Sequence, residues 1–283
     1  MTFGFTSPLL PVPYRQGNAE KVKAMQDFET VIYGLDAGVA TLTLNRPEVM
    51  NALNGRLRLD LRAAIARAEG EARVVVLTGA GRSFCSGQDL ADAGNLREAD
   101  FERILREEYE PLLNAIYDCP LPTIAAVNGA AAGAGANLAL AADVVIAAES
   151  ASFIQAFTRI GLMPDAGGTY WLPRQVGFAR AMGAMLFADR ISARQAADWG
   201  MIWQTVADAD FAAHWQARAA QLAAGPSVAY GAVKTALRKS FGNDLSGQLA
   251  LEARLQGTCG QSDDFLEGVS AFLEKRPARF AGR

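Results

Sequence analysis

The sequence predicts an α/β fold, and three observations carry that expectation. Between residues 28 and 207, short β-branched runs alternate with stretches of helical periodicity. Beyond residue 208 the strand signals stop and only helical patterns follow. The chain has 283 residues, 51% of them hydrophobic, which is enough to bury a large core.

Taken in order, TVIYGLDAGVATLTL reads as a hairpin, and RVVVLTGAG, LPTIAAVNG, ADVVIAAES and GMIWQTVA read as strands. Residues 54 to 69 carry Leu57, Leu61, Ala64, Ile65 and Ala68 at helical spacing. Residues 100 to 118 repeat the pattern as one helix with Phe101, Ile104, Leu105, Leu112, Leu113 and Ile116. The C-terminal helices fall in FAAHWQARAAQLA, VAYGAVKTALRKSF, LSGQLALEARLQG and DFLEGVSAFLEKR. Their apolar faces cannot all be hidden on one another, so packing against the core or another subunit is expected. Residues 1–27 are rich in proline and glycine and lack periodicity, which predicts a mobile tail, with Met25 as a candidate start. Residues 28–207 are expected to form the core and residues 208–283 a helical oligomerisation region.

Composition narrows the chemistry. The net charge is −3, with both signs mixed along the chain, so no footprint for nucleic acid or a membrane surface is present. Cys85, Cys119 and Cys259 are widely spaced, with no CxxC, which suits the cytoplasm and predicts no metal site. The single histidine, His214, sits in an amphipathic helical pattern and reads as a surface or core residue. Ser-His-Asp and Cys-His machinery both need an imidazole, so hydrolase triads are set aside.

Two glycine-rich stretches leave strands: LTGAGRSFCSGQDL and AAVNGAAAGAGANLALAAD, the second entering an alanine-rich helix. Neither completes G-x-G-x-x-G, because Phe84 and Leu138 stand where the third glycine belongs, and no P-loop lysine follows. Turns of this kind can aim free backbone N–H groups at developing negative charge, or can simply let backbones pack closely. A third stretch, GLMPDAGGT, places one carboxylate, Asp165, among mostly apolar residues. Phe157, Leu162 and Met163 are expected to desolvate Asp165 and raise its pKa, whereas a helix N-cap for AGGTYWLP is the plain structural role.

The stretches TLTLNRPEVMNAL, GAGRSFCSGQDL, AAVNGAAAGAGANLALAADVVIAAESASF, GLMPDAGGTYWLPRQVG and EGVSAFLEKR, in unbroken order, resemble the crotonase (enoyl-CoA hydratase/isomerase) superfamily. Within it, SFIQAFTRIGLMPDAGGTYWLPRQVGFARAMG and AADWGMIWQTV look most like the 1,2-epoxyphenylacetyl-CoA isomerases of phenylacetate catabolism. The resemblance implies a spiral of repeated ββα units with a C-terminal helical trimerisation region, and a homotrimer or a hexamer built from two. It also implies an acyl-CoA thioester substrate, with coenzyme A as part of the substrate and no separate cofactor.

By the same resemblance, the thioester oxygen sits between the main-chain N–H groups of Gln88 and Ala134. Ala52, Leu53, Ser86, Asp89, Leu90, Asn137, Phe157, Phe272 and Lys275 join Gln88 and Ala134 as substrate-binding residues, Phe272 and Lys275 near the nucleotide. Hydratases of the family carry two glutamates where this chain has Asn137 and Phe157, so efficient hydration is not expected. Some isomerases and dehalogenases place an aspartate where Asp165 stands. The implied activity is isomerisation of an epoxyphenylacetyl-CoA or a 3-enoyl-CoA through a thioester enolate, with Asp165 as acid/base. The alternatives are an enoyl-CoA hydratase and a noncatalytic acyl-CoA binding oligomer. A dehalogenase of this type also carries a histidine near the first oxyanion loop, which this chain lacks.

Overall fold

The computed structural model describes residues 28–92 and 100–283. The expected N-terminal tail and the proposed start at Met25 lie outside the described residues. The strands are β1 (Val31–Asp36), β2 (Val39–Leu44), β3 (Val74–Gly79), β4 (Ser83–Cys85), β5 (Thr123–Val127), β6 (Ala130–Ala132), β7 (Val144–Ala148), β8 (Ser152–Ile154), β9 (Ile191–Ser192) and β10 (Gln204–Val206). They form two sheets. The larger runs β1-β2-β3-β5-β7-β10 and the smaller β4-β6-β8-β9. Among the described residues only the β1–β2 hairpin and the β8–β9 pair are antiparallel.

The repeat unit is visible in this order. One long strand enters the large sheet, a few residues turn, one short strand enters the small sheet, and a helix follows. The long strands β3 and β5 are buried almost throughout, as parallel strands covered on both faces must be, which explains their continuous apolar runs. This is the expected α/β crotonase-type spiral of ββα units.

The helices are α1 (Gly55–Glu71), α2 (Phe101–Ile104), α3 (Glu110–Tyr117), α4 (Ala134–Leu140), α5 (Gly168–Val176), α6 (Phe178–Phe187), α7 (Ala193–Asp198), α8 (Asp208–Ala223), α9 (Ser227–Ser240), α10 (Leu245–Cys259) and α11 (Asp263–Glu274). Asn54 starts α1 by accepting a hydrogen bond from the Leu57 N–H, and Leu57, Leu61, Ala64, Ile65 and Ala68 turn inward as their spacing requires. The stretch expected as one helix over 100–118 is instead broken by a π-helical turn, Leu105–Tyr109, between α2 and α3. Pro111 has no N–H to continue the regular ladder, and the chain widens one turn, with the Glu110 N–H bonding back to the Leu105 carbonyl.

The C-terminal helices are unevenly covered. α8 lies on the large sheet and buries Phe211, Ala219 and Ala223. By contrast α9 and α10 bury no residue fully, and Leu237, Leu245, Leu249, Leu266 and Phe272 are exposed. α9 is nevertheless pinned to the core. Lys234 donates to the Cys119 carbonyl at 2.6 Å and pairs with Asp143, which also takes Arg238 at 2.6 Å. Among the described residues no helix is long and apolar enough to cross a membrane.

Candidate active site

Two turns of the repeat, one after β4 and one after β6, build the site. After β4 the chain passes Leu53, whose N–H donates to the Gly87 carbonyl at 2.7 Å and whose carbonyl accepts from the Asp89 N–H at 3.1 Å. A parallel bridge of this form uses the groups on either side of Gln88 and leaves the Gln88 N–H aimed the other way. That N–H has no acceptor among the described residues. Ala134 is the first residue of α4, so its N–H has no partner inside the helix, and none is found among the described residues.

The two turns touch. Gly87 adopts φ +95, and a methyl there would come within 2.7 Å of the Ala132 carbonyl oxygen and 3.4 Å of the Ala134 nitrogen. A methyl on Gly135 would collide with the Cys85 carbonyl. Glycine at these positions lets the two main chains, each carrying an amide without an acceptor among the described residues, pack closely against one another. Phe157 is buried and closes the side of the second turn, its ring being 3.7 Å from where a Gly133 methyl would stand.

Helix α4 also holds the segment that carries Asp165. The Asn137 amide, one helical turn beyond Ala134, donates to the Asp165 carbonyl at 2.7 Å and accepts from the Gln155 side chain at 2.8 Å. The Gly168 N–H also donates to the Asp165 carbonyl, at 2.9 Å. Asp165 is not the N-cap of α5: that position is Gly167, in left-handed conformation with no side-chain cap. The carboxyl group is thus free of the structural role that its sequence context offered. Burial pushes its pKa up to about 6, opposed by a hydrogen bond from its own main-chain N–H. The apolar surroundings differ from expectation in one respect. Phe157 is buried, but Met163 is exposed and contributes little to that desolvation.

The remaining sequence candidates divide by burial. Ser86 is partly exposed and Leu90 exposed beside the first donor, so both present surface there. Leu53 and Asn137, expected among the substrate-binding residues, are fully buried, and their hydrogen bonds hold Gly87, Asp89 and Asp165 in place. Ala52 is buried as well, and Arg46 ties its carbonyl at 2.6 Å to the Asp89 carboxylate at 2.8 Å. Burial would raise the Asp89 pKa, but the Arg46 hydrogen bond and charge outweigh it and hold the carboxyl below its ordinary value. Phe272 on α11 and Lys275 at its C-terminal cap are exposed, not among the buried residues around Gln88 and Ala134. Phe272 instead helps line an apolar cavity of 580 Å³ between α9, α10 and α11, away from the oxyanion turns. Cys85 donates its thiol to the Asn51 carbonyl at 3.1 Å, and burial pushes its pKa up to about 12, so it packs and does not react.

Three residues beside the site escaped the sequence reading: Arg58, Glu108 and Tyr109. Arg58 Nη1 donates to the Gln88 Oε1 at 3.0 Å and to the Leu53 carbonyl at 2.8 Å. Its Nη2 meets Glu108 at 2.5 Å, and the Tyr109 hydroxyl donates to the same Gln88 oxygen at 2.5 Å. A signal was present, because Arg58, Glu108 and Tyr109 fall on the inward stripes of their helices, where a charge or hydroxyl needs a partner.

Residues 34–283 match the family model for enoyl-CoA hydratase/isomerase. The chain belongs to the enoyl-CoA hydratase/isomerase family. A Rhodobacter capsulatus protein named "Probable enoyl-CoA hydratase" is 67% identical over 256 residues, covering 90% of this chain and 99% of that one. The "1,2-epoxyphenylacetyl-CoA isomerase" of Escherichia coli is 45% identical over 261 residues, covering 90% of this chain and 100% of that protein. Among solved structures, an enoyl-CoA hydratase/isomerase from Mycobacterium abscessus superposes with a TM-score of 0.85 at 39% identity, over 89% of this chain and all of that one, 100%. As a member of this family, the chain is an enzyme of acyl-CoA thioester chemistry.

Proposed function

We propose that this family member is an acyl-CoA isomerase in which the amides of Gln88 and Ala134 polarise the thioester carbonyl and Asp165 moves the proton. The observation that carries the reading is a single acid, with its pKa near 6, held by α4 one turn from an oxyanion donor. Loss of a proton from the carbon next to the thioester gives an enolate, whose charge the two amides stabilise more than they stabilise the neutral substrate. For a 3-enoyl-CoA, Asp165 takes a proton from the α-carbon and returns it to the γ-carbon, giving the conjugated 2-enoyl thioester. For an epoxyphenylacetyl-CoA, the same polarisation drives opening of the strained ring toward an oxepin, and the 45% identity to an epoxyphenylacetyl-CoA isomerase supports that substrate class. Phenylacetate breakdown in the cytoplasm is the setting this reading implies.

Hydration is the second reading, favoured by the name of the 67% identical relative. Adding water needs one group to activate it and one to deliver a proton. Here Asn137 is buried with its amide occupied at both ends, and Phe157 presents no acid. Turnover of crotonyl-CoA, 3-hexenoyl-CoA and epoxyphenylacetyl-CoA, followed by chromatography of the products, separates the two. The isomerase reading expects 2-hexenoyl-CoA or oxepin product, and rapid 3-hydroxyacyl-CoA formation from crotonyl-CoA would replace it with the hydratase.

The pH dependence gives a further expected result. Asp165 must be ionised to accept a proton, so kcat/KM should rise with pH, bend near 6 and stay level above it. A profile flat from pH 5 to 8 would remove Asp165 as the base. The reading extends to a homotrimer or hexamer, supported by the unburied apolar faces of α9, α10 and α11, and Phe272 and Lys275 would then serve the nucleotide end from a neighbouring subunit.

A further inference from the structure

We infer that Tyr109 and Arg58 are positioning residues that fix the first oxyanion donor by gripping the side chain of Gln88. The inference rests on the isomerase reading above and adds a role for a side chain that the main-chain hydrogen bond alone would leave idle. The Gln88 Oε1 accepts from both Tyr109 and Arg58, at 2.5 and 3.0 Å, and its Nε2 donates to the Asp89 carbonyl at 3.2 Å. This network admits one amide orientation. Rotating the carboxamide by half a turn would set its NH₂ against two donors.

Arg58 also reaches around the other side of the strand. The nitrogen that holds Gln88 donates to the Leu53 carbonyl, the group to which the Asp89 N–H is bonded. One guanidinium therefore spans the residue bearing the donor and the residue that sets its ladder. The guanidinium is itself immobilised: it is buried, paired with Glu108 and placed 4.8 Å from the centre of the Tyr109 ring. A charge this deep is costly without a partner, and Glu108 supplies one. The π-helical turn gives the same conclusion from the backbone. A widened turn is an irregularity that regular packing would remove, and this one carries Glu108 and Tyr109 to their partners. Tyr109 also lies within electrostatic reach of Asp165.

Catalysis by fixed dipoles depends on the donor not having to reorient as charge develops. A loosened Gln88 would still offer its N–H, but with poorer alignment in the transition state than in the ground state. The effect should fall on kcat and spare KM.

The test compares Tyr109→Phe, Gln88→Ala and the double variant by turnover of 3-hexenoyl-CoA and by the thioester carbonyl stretch of a bound dienoyl-CoA. Each single variant is expected to lose roughly tenfold in kcat with KM changed less than about twofold, and the double variant to lose no more than either single. In all three the carbonyl band should move back toward its position in water. Losses that multiply in the double variant, or a wild-type kcat and carbonyl frequency in Tyr109→Phe, would overturn the clamp. If Tyr109→Phe does not fold, Gln88→Ala carries the test alone, and a wild-type band and kcat in that variant overturns the clamp equally. A carbonyl band unshifted in the wild-type complex would instead remove the oxyanion reading itself, and with it the clamp.

Discussion

Asp165→Asn is expected to lower turnover of 3-hexenoyl-CoA and epoxyphenylacetyl-CoA by roughly 10²–10⁴-fold, the range that a positioned acid or base contributes. Binding of the acyl-CoA should change little, because the amides of Gln88 and Ala134 and the nucleotide contacts are untouched. The same substitution should make the protein more stable at neutral pH. Burial raises the Asp165 pKa from 3.8 to about 6, so the native state holds this proton more tightly than the unfolded chain does. The stability so gained is complete below pH 3.8 and is lost as pH rises through about 6. At pH 8 the charged group is therefore a net cost of about 1–2 kcal/mol, once the shift is discounted for partial solvent exposure. Asparagine has nearly the same shape and no charge, so thermal unfolding should shift upward at pH 8 and remain level near pH 4. An Asp165→Asn protein with unchanged turnover, or with lower stability at pH 8, contradicts the assignment.

The second large effect is expected at Gly87→Ala. The added methyl meets the Ala132 carbonyl oxygen at 2.7 Å in a backbone conformation, φ +95, that alanine avoids. The two turns must separate, and the free amides of Gln88 and Ala134 no longer share one oxyanion position. Loss of one such donor typically costs roughly 10²–10³-fold in rate, and that fall in kcat is the expected result. Strain of this kind also costs on the order of 1–3 kcal/mol of stability, so denaturant unfolding should be measured on the same sample. Calorimetry with a product acyl-CoA separates catalysis from binding. Retained affinity with collapsed kcat places the defect in the hole, and retained kcat would show that residue 88 is not a donor.

These predictions combine features that differ in how visible they were from the chain alone. The long strands were legible because a parallel strand buried on both faces must be a run such as VVVLT or TIAAV. Helix α1 was legible through its apolar spacing and Asn54 cap. The short strands β4, β6 and β8, in SFC, AAA and SFI, left no trace, since three residues are too few to display a period. Pro111 stood in plain view within the stretch expected to be one helix, yet its consequence, a π-helical turn, depends on what the widened turn can reach.

The proposed roles of Asp165, Gln88 and Ala134 rest on the order of the glycine-rich stretches and the resemblance they carry. What the chain alone did not show for Asn137 is its burial. Asn137 was expected to face substrate, and it is buried, holding the Asp165 carbonyl. Met163 was expected to dry the acid and faces outward.

The chain by itself determined the class of fold and the run of glycine-rich stretches that carries the family resemblance, because residue type and local period are properties of the chain. Only the tertiary structure decided that the turns after β4 and β6 meet, that Asp165 is free of a capping role with its pKa near 6, and that Arg58 and Tyr109 close on Gln88. The physical reason is that convergence and burial arise where distant segments cross, and local periodicity along one segment carries no information about what lies across the gap.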